Sequence, residues 1–149
     1  MSDQFDEIFD VLVVGSGCGG LTAALTADIS NPGKVLVIEK SHLIGGTSAT
    51  SGGVIWIPDN HLGKEKGAQD SLSEAKEYLK ATIPADEFNE PLIDTYLDQG
   101  PKMVKFMEEN TDARYTSLEH YPDYFQDAPG VKLGNRALEP LPVSADILG

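Results

Sequence analysis

Three glycines, Gly15, Gly17 and Gly20, and one acid, Glu39, have the types and spacing to grip a dinucleotide. In a GxGxxG turn each glycine has its own task. The first permits a sharp bend, the second lets a pyrophosphate approach the backbone, and the third lets a helix pack closely on a strand. The start of that helix offers N–H groups and the positive end of its dipole to the phosphates. Glu39 lies about 20 residues beyond the turn, the separation at which a carboxylate accepts hydrogen bonds from an adenosine ribose. Ser16 and Gly19 complete the turn and Lys40 follows the acid, so these three join the cofactor-binding candidates. Three glycines alone can mark a simple turn, and Glu39 alone a solvated strand end; the surrounding elements decide between those readings.

Val11, Leu12, Val13 and Val14 form an unbroken apolar run directly before Gly15, the pattern of a parallel strand covered on both faces. After Gly20, LTAALTAD consists of good helix formers, with Leu21, Ala24, Leu25 and Asp28 at helical spacing. Asn31, Pro32 and Gly33 then break the chain, and KVLVIE (34–39) reads as a second buried strand ending in the acid. Strand, glycine turn, helix and strand make a βαβ unit, so the expected fold is α/β and Rossmann-like with an incomplete parallel sheet.

The loop that follows, SHLIGGTSATSGG (41–53), is rich in hydroxyls and carries two glycine pairs at the C-terminal edge of that sheet. There it offers backbone amides and hydroxyls to a flat ligand, beyond what a flexible linker would need. VLVVGSGCGGLTAALTA, VLVIEK, GGTSATSGG and VIWIPDNH together resemble the N-terminal part of the FAD-dependent oxidoreductases of the fumarate reductase and 3-ketosteroid dehydrogenase superfamily. GGTSATSGGVIWIP is most similar to the steroid dehydrogenase branch. The resemblance implies that Gly45, Gly46, Thr47 and Ser48 contact the pyrophosphate and flavin side of FAD, with Ser51, Gly52 and Gly53 near the isoalloxazine. Succinate dehydrogenases tether the flavin through a histidine just before the threonine of this loop. Gly46 occupies that place here, which implies noncovalent FAD; His42 lies four residues too early and reads as an exposed loop residue.

The 24 acidic and 11 basic residues give a formal charge of −13, which argues against nucleic acid and anionic membrane surfaces as partners. It does not disfavour a dinucleotide, whose phosphates meet the turn in contact, where salt screens least. No run reaches the roughly 18 apolar residues of a membrane span, and the acidic start MSDQFDEIFD lacks the pattern of a secretory signal, so a cytoplasmic protein is expected. One cysteine, Cys18, excludes an internal disulfide; it reads as a small residue at a helix start rather than a reactive thiol.

VIWI (54–57) reads as a short strand closed by Pro58, with Trp56 in a core or pocket wall; His61 has no neighbouring metal ligands in the sequence. DSLSEAKEYLKATI (70–83) is a helix with Ser71 and Glu74 as capping box and Leu72, Ala75, Leu79 and Ile83 on its apolar face. A second helix, 90–99, turns Leu92, Ile93, Tyr96 and Leu97 inward, and Gly100 and Pro101 separate it from a third around Met103, Val104, Phe106 and Met107. The division expected is therefore the front of a FAD-binding domain over 1–60, a helical insertion over 61–112 and a pocket-lining segment over 113–149.

In that last segment ARYTSL (113–118) suits a strand, and HYPDYFQDAPG crowds Tyr121, Tyr124 and Phe125 among prolines and acids. By composition it is an aromatic packing loop. Steroid dehydrogenases carry a similar PDYF-like segment whose tyrosine lines the pocket and assists the proton-abstracting tyrosine, and the resemblance puts Tyr124 at that position as an assisting catalytic residue. The likeness spans nearly the whole chain but only the front quarter or so of such a protein, so a fragment is expected whose catalytic base and carbonyl donors lie beyond Gly149. The implied substrate is a ketosteroid, dehydrogenated by alpha-proton abstraction and hydride transfer to flavin. The alternatives are a fumarate reductase-like enzyme, which needs arginines for a dicarboxylate and has only Arg114 and Arg136 here, an NAD-dependent dehydrogenase, and an inactive nucleotide-binding module.

Overall fold

A computed structural model of the chain describes residues 7–30, 33–144 and 146, which form two compact units meeting at the Gly53–Val54 boundary. The expected break at Asn31 and Pro32 lies outside the described residues. In the first unit, strand β1 (Val11–Val14) leads into helix α1 (Cys18–Ser30), and strand β2 (Val35–Ile38) returns parallel to β1 with Val11 opposite Val35 and Val14 opposite Ile38. This is the α/β arrangement expected.

The expectation that β1 is covered on both faces does not hold. Its residues alternate, and Leu12 and Val14 remain 58% and 76% exposed. A two-stranded sheet with a single helix packed on it has cover for only one face, so the pleat turns every second side chain outward.

The second unit is built on a three-stranded antiparallel sheet in the order β3 (Ile55–Trp56), β5 (Ala137–Pro140) and β4 (Tyr115–Ser117). Ile57 and Leu138 form its core with Val104 of helix α4 (Glu90–Asn110). The short helix α2 (His61–Glu65) is capped by Asn60, whose Oδ1 accepts from the Gly63 N–H at 2.7 Å. Helix α3 (Leu72–Thr82) is capped by Ser71 as expected, the Glu74 N–H donating to Ser71 Oγ at 3.3 Å, but the reciprocal half of the capping box is replaced: Glu74 Oε2 accepts the Ser71 hydroxyl at 2.9 Å, and the Ser71 N–H donates to Asp70 Oδ1 at 2.9 Å.

Two helix expectations are corrected. Gly100 and Pro101 do not separate two helices; α4 runs through both, because the buried residues Leu97, Gly100 and Val104 share one face whose packing outweighs the proline's cost. Leu92 is not inward but 64% exposed, since it lies in the first turn, off that face. Among the described residues no helix is long and apolar enough to cross a membrane.

Candidate functional site

The glycine turn follows β1 without a spare residue. The Gly15 N–H donates to the Ile38 carbonyl at 2.8 Å, holding the turn to the end of β2, and Gly15 itself has φ 98°, where a side chain would be strained. At Gly20 a Cβ would overlap the Gly15 carbonyl oxygen, so the helix approaches the turn as closely as it does only because that side chain is missing. Gly17 differs. Its nearest neighbours to a Cβ would be Ser48 Oγ at 3.9 Å and the Gly45 carbonyl at 4.0 Å, so nothing in the protein requires glycine there. Gly17 also lines a cleft of about 490 Å³ together with Gly15, Ser16, Glu39, Lys40 and Gly46, among others.

Glu39 stands at the mouth of this bend. Its Oε2 accepts from the Ser16 N–H at 3.0 Å and from the Ser16 hydroxyl at 2.6 Å, and its Oε1 accepts from the Ser41 N–H at 2.9 Å. Those bonds, the Ser16 hydroxyl first, lower its carboxyl from an ordinary 4.5 to about 2, so the acid is ionised wherever the protein is folded near neutrality. A carboxylate has about four acceptor sites; Ser16 takes both of those on Oε2, and Oε1, which accepts only from Ser41, keeps one for a ribose hydroxyl.

The hydroxyl-rich loop sits on the same turn. Gly45, with φ 100°, leads into a 3-10 turn over Gly46–Thr50. The Gly45 N–H donates to Ser16 Oγ at 2.9 Å and the Cys18 N–H to Ser48 Oγ at 3.1 Å. The expectation that the helix start offers its N–H groups to the phosphates is therefore corrected for the first of them, which Ser48 caps from 30 residues away. Thr47 and Ser48 give their carbonyls to the hydroxyls of Thr50 and Ser51, at 3.0 Å each, and the Gly53 N–H donates to Ser51 Oγ at 3.1 Å. Gly19 and Gly52 border open space. His42 is exposed. The open cradle at Gly17, an ionised acid beside it and a hydroxyl-lined loop folded back on the turn fit the diphosphate and ribose of a dinucleotide, FAD included.

The second unit carries a separate cavity of about 350 Å³, walled by Trp56, Tyr78, Tyr121, Asp123, Tyr124 and Phe125, among others. Tyr124 is 83% exposed on its rim, and its phenol beside that of Tyr121 raises the Tyr121 phenol above its ordinary value. Beneath the cavity Arg136, 1% exposed, donates through Nη1 to Asp123 Oδ2 at 2.8 Å and through Nη2 and Nε to the two oxygens of Asp70 at 2.7 and 2.9 Å. Its guanidinium also faces the rings of Trp56 and Tyr78, at 5.4 and 5.8 Å. Burial would raise the Asp70 carboxyl, but the Arg136 hydrogen bonds, the Asp59 N–H and the Arg136 charge outweigh it and hold the group low.

This ion cluster was not read from the sequence. The available signal was an arginine followed by Ala137 and Leu138 in a chain with few cations and many acids. His61 does find a partner, Glu108 Oε2 at 2.8 Å, and the described residues contain no cluster able to hold a metal.

A family model described as "FAD binding domain" matches residues 10–138. The chain is 43% identical to 4-oxocyclohexanecarboxylate 2-dehydrogenase of Sinomonas cyclohexanicum and 43% identical to 3-oxosteroid 1-dehydrogenase of Mycolicibacterium smegmatis, in each case over 95% of this chain and 24% of the relative. A solved structure of 3-ketosteroid delta1-dehydrogenase from Sterolibacterium denitrificans, in complex with 1,4-androstadiene-3,17-dione, superposes with a TM-score of 0.85 at 42% identity, over 95% of this chain and 24% of that one. The chain thus spans about a quarter of the length of the relatives it matches. The turn, the acid and these matches lead to one conclusion: the chain belongs to the FAD binding domain family, within the fumarate reductase and 3-ketosteroid dehydrogenase flavoproteins.

Proposed function

We propose that this chain is the FAD-holding front of an oxidoreductase that dehydrogenates a carbon pair next to a ring ketone, with a 3-ketosteroid-like substrate. The cofactor part is carried by the cradle at Gly17: the protein leaves it open, beside a carboxylate held at the turn by Ser16. Gly15, Ser16, Gly17, Gly19 and Gly20 would receive the diphosphate, and Glu39 and Lys40 the adenosine ribose. Gly45, Gly46, Thr47, Ser48, Ser51, Gly52 and Gly53 would take the flavin side. With Gly46 where a tethering histidine would stand, the cofactor is held noncovalently.

The substrate part draws on the relatives, whose named substrates share a ketone in a six-membered ring. FAD, when bound, accepts the hydride. In this chain Tyr124 assists removal of the proton alpha to the ketone with its hydroxyl, which lies beside that of Tyr121. The fumarate reductase-like alternative finds little support in these residues. Arg136 is spent on Asp70 and Asp123, and Arg114 donates to the Thr111 and Ala113 carbonyls at 2.7 Å each.

The test is to purify the protein, record its flavin absorbance and identify what denaturation releases. Free FAD is expected. A colourless protein that binds NAD in its place would overturn the cofactor assignment, and an FAD-loaded full-length enzyme containing this front but inert toward 3-oxosteroids and 4-oxocyclohexanecarboxylate would overturn the substrate class.

A further inference from the structure

Tyr124 combines two properties that seldom coincide: its side chain is largely exposed, yet the backbone on either side of it is fastened to buried groups. On one side Asp123 is buried. Its Oδ1 accepts from Trp56 Nε1 at 2.6 Å, and its Oδ2 accepts from Arg136 Nη1 at 2.8 Å and from the Lys132 N–H at 2.9 Å. Its own N–H donates to the Lys132 carbonyl at 2.9 Å. On the other side the Phe125 N–H donates to the hydroxyl of buried Tyr78 at 3.1 Å. Tyr78 belongs to α3, and the loop returns against that helix at Gly130, where a Cβ would overlap the Glu74 carbonyl.

A loop needed only for packing would bury its aromatic ring and leave its backbone to solvent. Here the arrangement is reversed. We infer that Tyr78 and Asp123 are positioning residues, which clamp the backbone around Tyr124 so that its phenol is presented in one orientation at the rim of the cavity. The inference rests on the role given to Tyr124 under the proposed function, and adds the residues that make that role possible. Neither Tyr78 nor Asp123 needs to touch substrate. Each acts through Tyr124, and the order they impose is worth having only if a reacting group must meet that phenol at a set distance.

Tyr78→Phe is the sharper test, because it deletes one hydroxyl and keeps the ring that Trp56 and Arg136 pack against. In the protein as isolated, hydrogen exchange at the Phe125 amide is expected to rise roughly tenfold, the effect of losing one hydrogen bond. An unchanged rate would overturn the clamp. In the FAD-loaded full-length enzyme containing this front, with a 3-oxosteroid, Tyr78→Phe should lower kcat about tenfold and leave KM within about twofold. In a Tyr124→Phe background it should cost nothing further. An equal loss in both backgrounds would mean that Tyr78 only supports the fold, and would also overturn the inference. Asp123→Asn, if it folds, should follow the same pattern. If Tyr124→Phe turns over normally in the full-length enzyme, or that enzyme unsubstituted does not turn over at all, the reading of function fails instead; the clamp is then judged by the exchange rate alone.

Discussion

Ser16 gives both its N–H and its hydroxyl to one oxygen of Glu39, at 3.0 and 2.6 Å, across 23 residues of sequence. The same hydroxyl oxygen accepts the Gly45 N–H at 2.9 Å. A single side chain in the glycine turn therefore joins the acid that ends the second strand to the loop that follows it, and the three parts of the proposed dinucleotide site form one connected network.

That network has a pH signature. The Glu39 carboxyl is lowered from 4.5 to about 2, with the Ser16 hydroxyl as the largest cause. A group whose folded value lies below its unfolded one contributes stability that is complete above the unfolded value. The contribution is lost as pH falls through the folded value, so the window here runs from about 4.5 down to about 2. Carbon-13 NMR of the Glu39 carboxyl should give a midpoint near 2, and Ser16→Ala should move it upward toward the ordinary value. A midpoint that ignores Ser16→Ala would show that the hydroxyl does not bind the acid in solution.

The glycines of the turn should separate cleanly on substitution. Gly17→Ala places a methyl where the nearest protein atoms are 3.9 and 4.0 Å away, so the protein should fold with a melting temperature within about 3 °C of the original. FAD affinity should nevertheless fall more than about tenfold, because the methyl enters the space meant for the diphosphate. Gly20→Ala should do the opposite and fail first in folding, since its methyl meets the Gly15 carbonyl. Thermal unfolding and flavin fluorescence titration distinguish the two, and unchanged FAD affinity in Gly17→Ala would show that the cofactor lies elsewhere.

Arg136 anchors the second unit from within. Replacing it by Met leaves two buried acids without their cation, a defect that costs roughly 3–5 kcal/mol, whereas also converting Asp70 and Asp123 to Asn should restore much of the loss. Trp56, the one tryptophan, lies beside the cluster and reports this unit alone during urea unfolding. A change below about 1 kcal/mol for Arg136→Met would mean that water reaches the site and screens it.

The parts legible in the sequence were those where local chemistry and global role coincide. Gly15 needs its φ, Gly20 its close approach, and Glu39 its distance from the turn, and each requirement leaves a residue type at a countable spacing. The strand β5 had no such mark: it is the middle strand of its sheet, yet only Ala137 and Leu138 are buried before Glu139 and Pro140 face outward, too short a run to show a period. On α3 the buried residue beside Ala75 is Tyr78, not the Leu79 that stands next to it, because the cavity wall and Phe125 call for a hydroxyl there. Arg136 and its two acids are far apart in sequence, and only the folded chain brings them together.

Gly100 and Pro101 show the same override in a form that can be measured. Proline inside a helix has no N–H for the carbonyl four residues back, here Leu97, and its ring crowds that carbonyl. The helix continues because Leu97, Gly100 and Val104 are buried together; a Cβ on Gly100 would stand only 3.3 Å from Ile57 Cδ1, so the glycine keeps that face close. Pro101→Ala should therefore stabilise the second unit by roughly 1–2 kcal/mol, the relief in the helix being partly offset by a freer unfolded chain. Gly100→Ala should destabilise it by about 1 kcal/mol, because helix propensity gained is outweighed by the displacement of Ile57. Urea unfolding followed by Trp56 fluorescence measures both. If Pro101→Ala lowered stability, the proline would be setting a bend on which the packing of α4 depends, and the burial of Leu97 and Val104 would follow from it instead of paying for it.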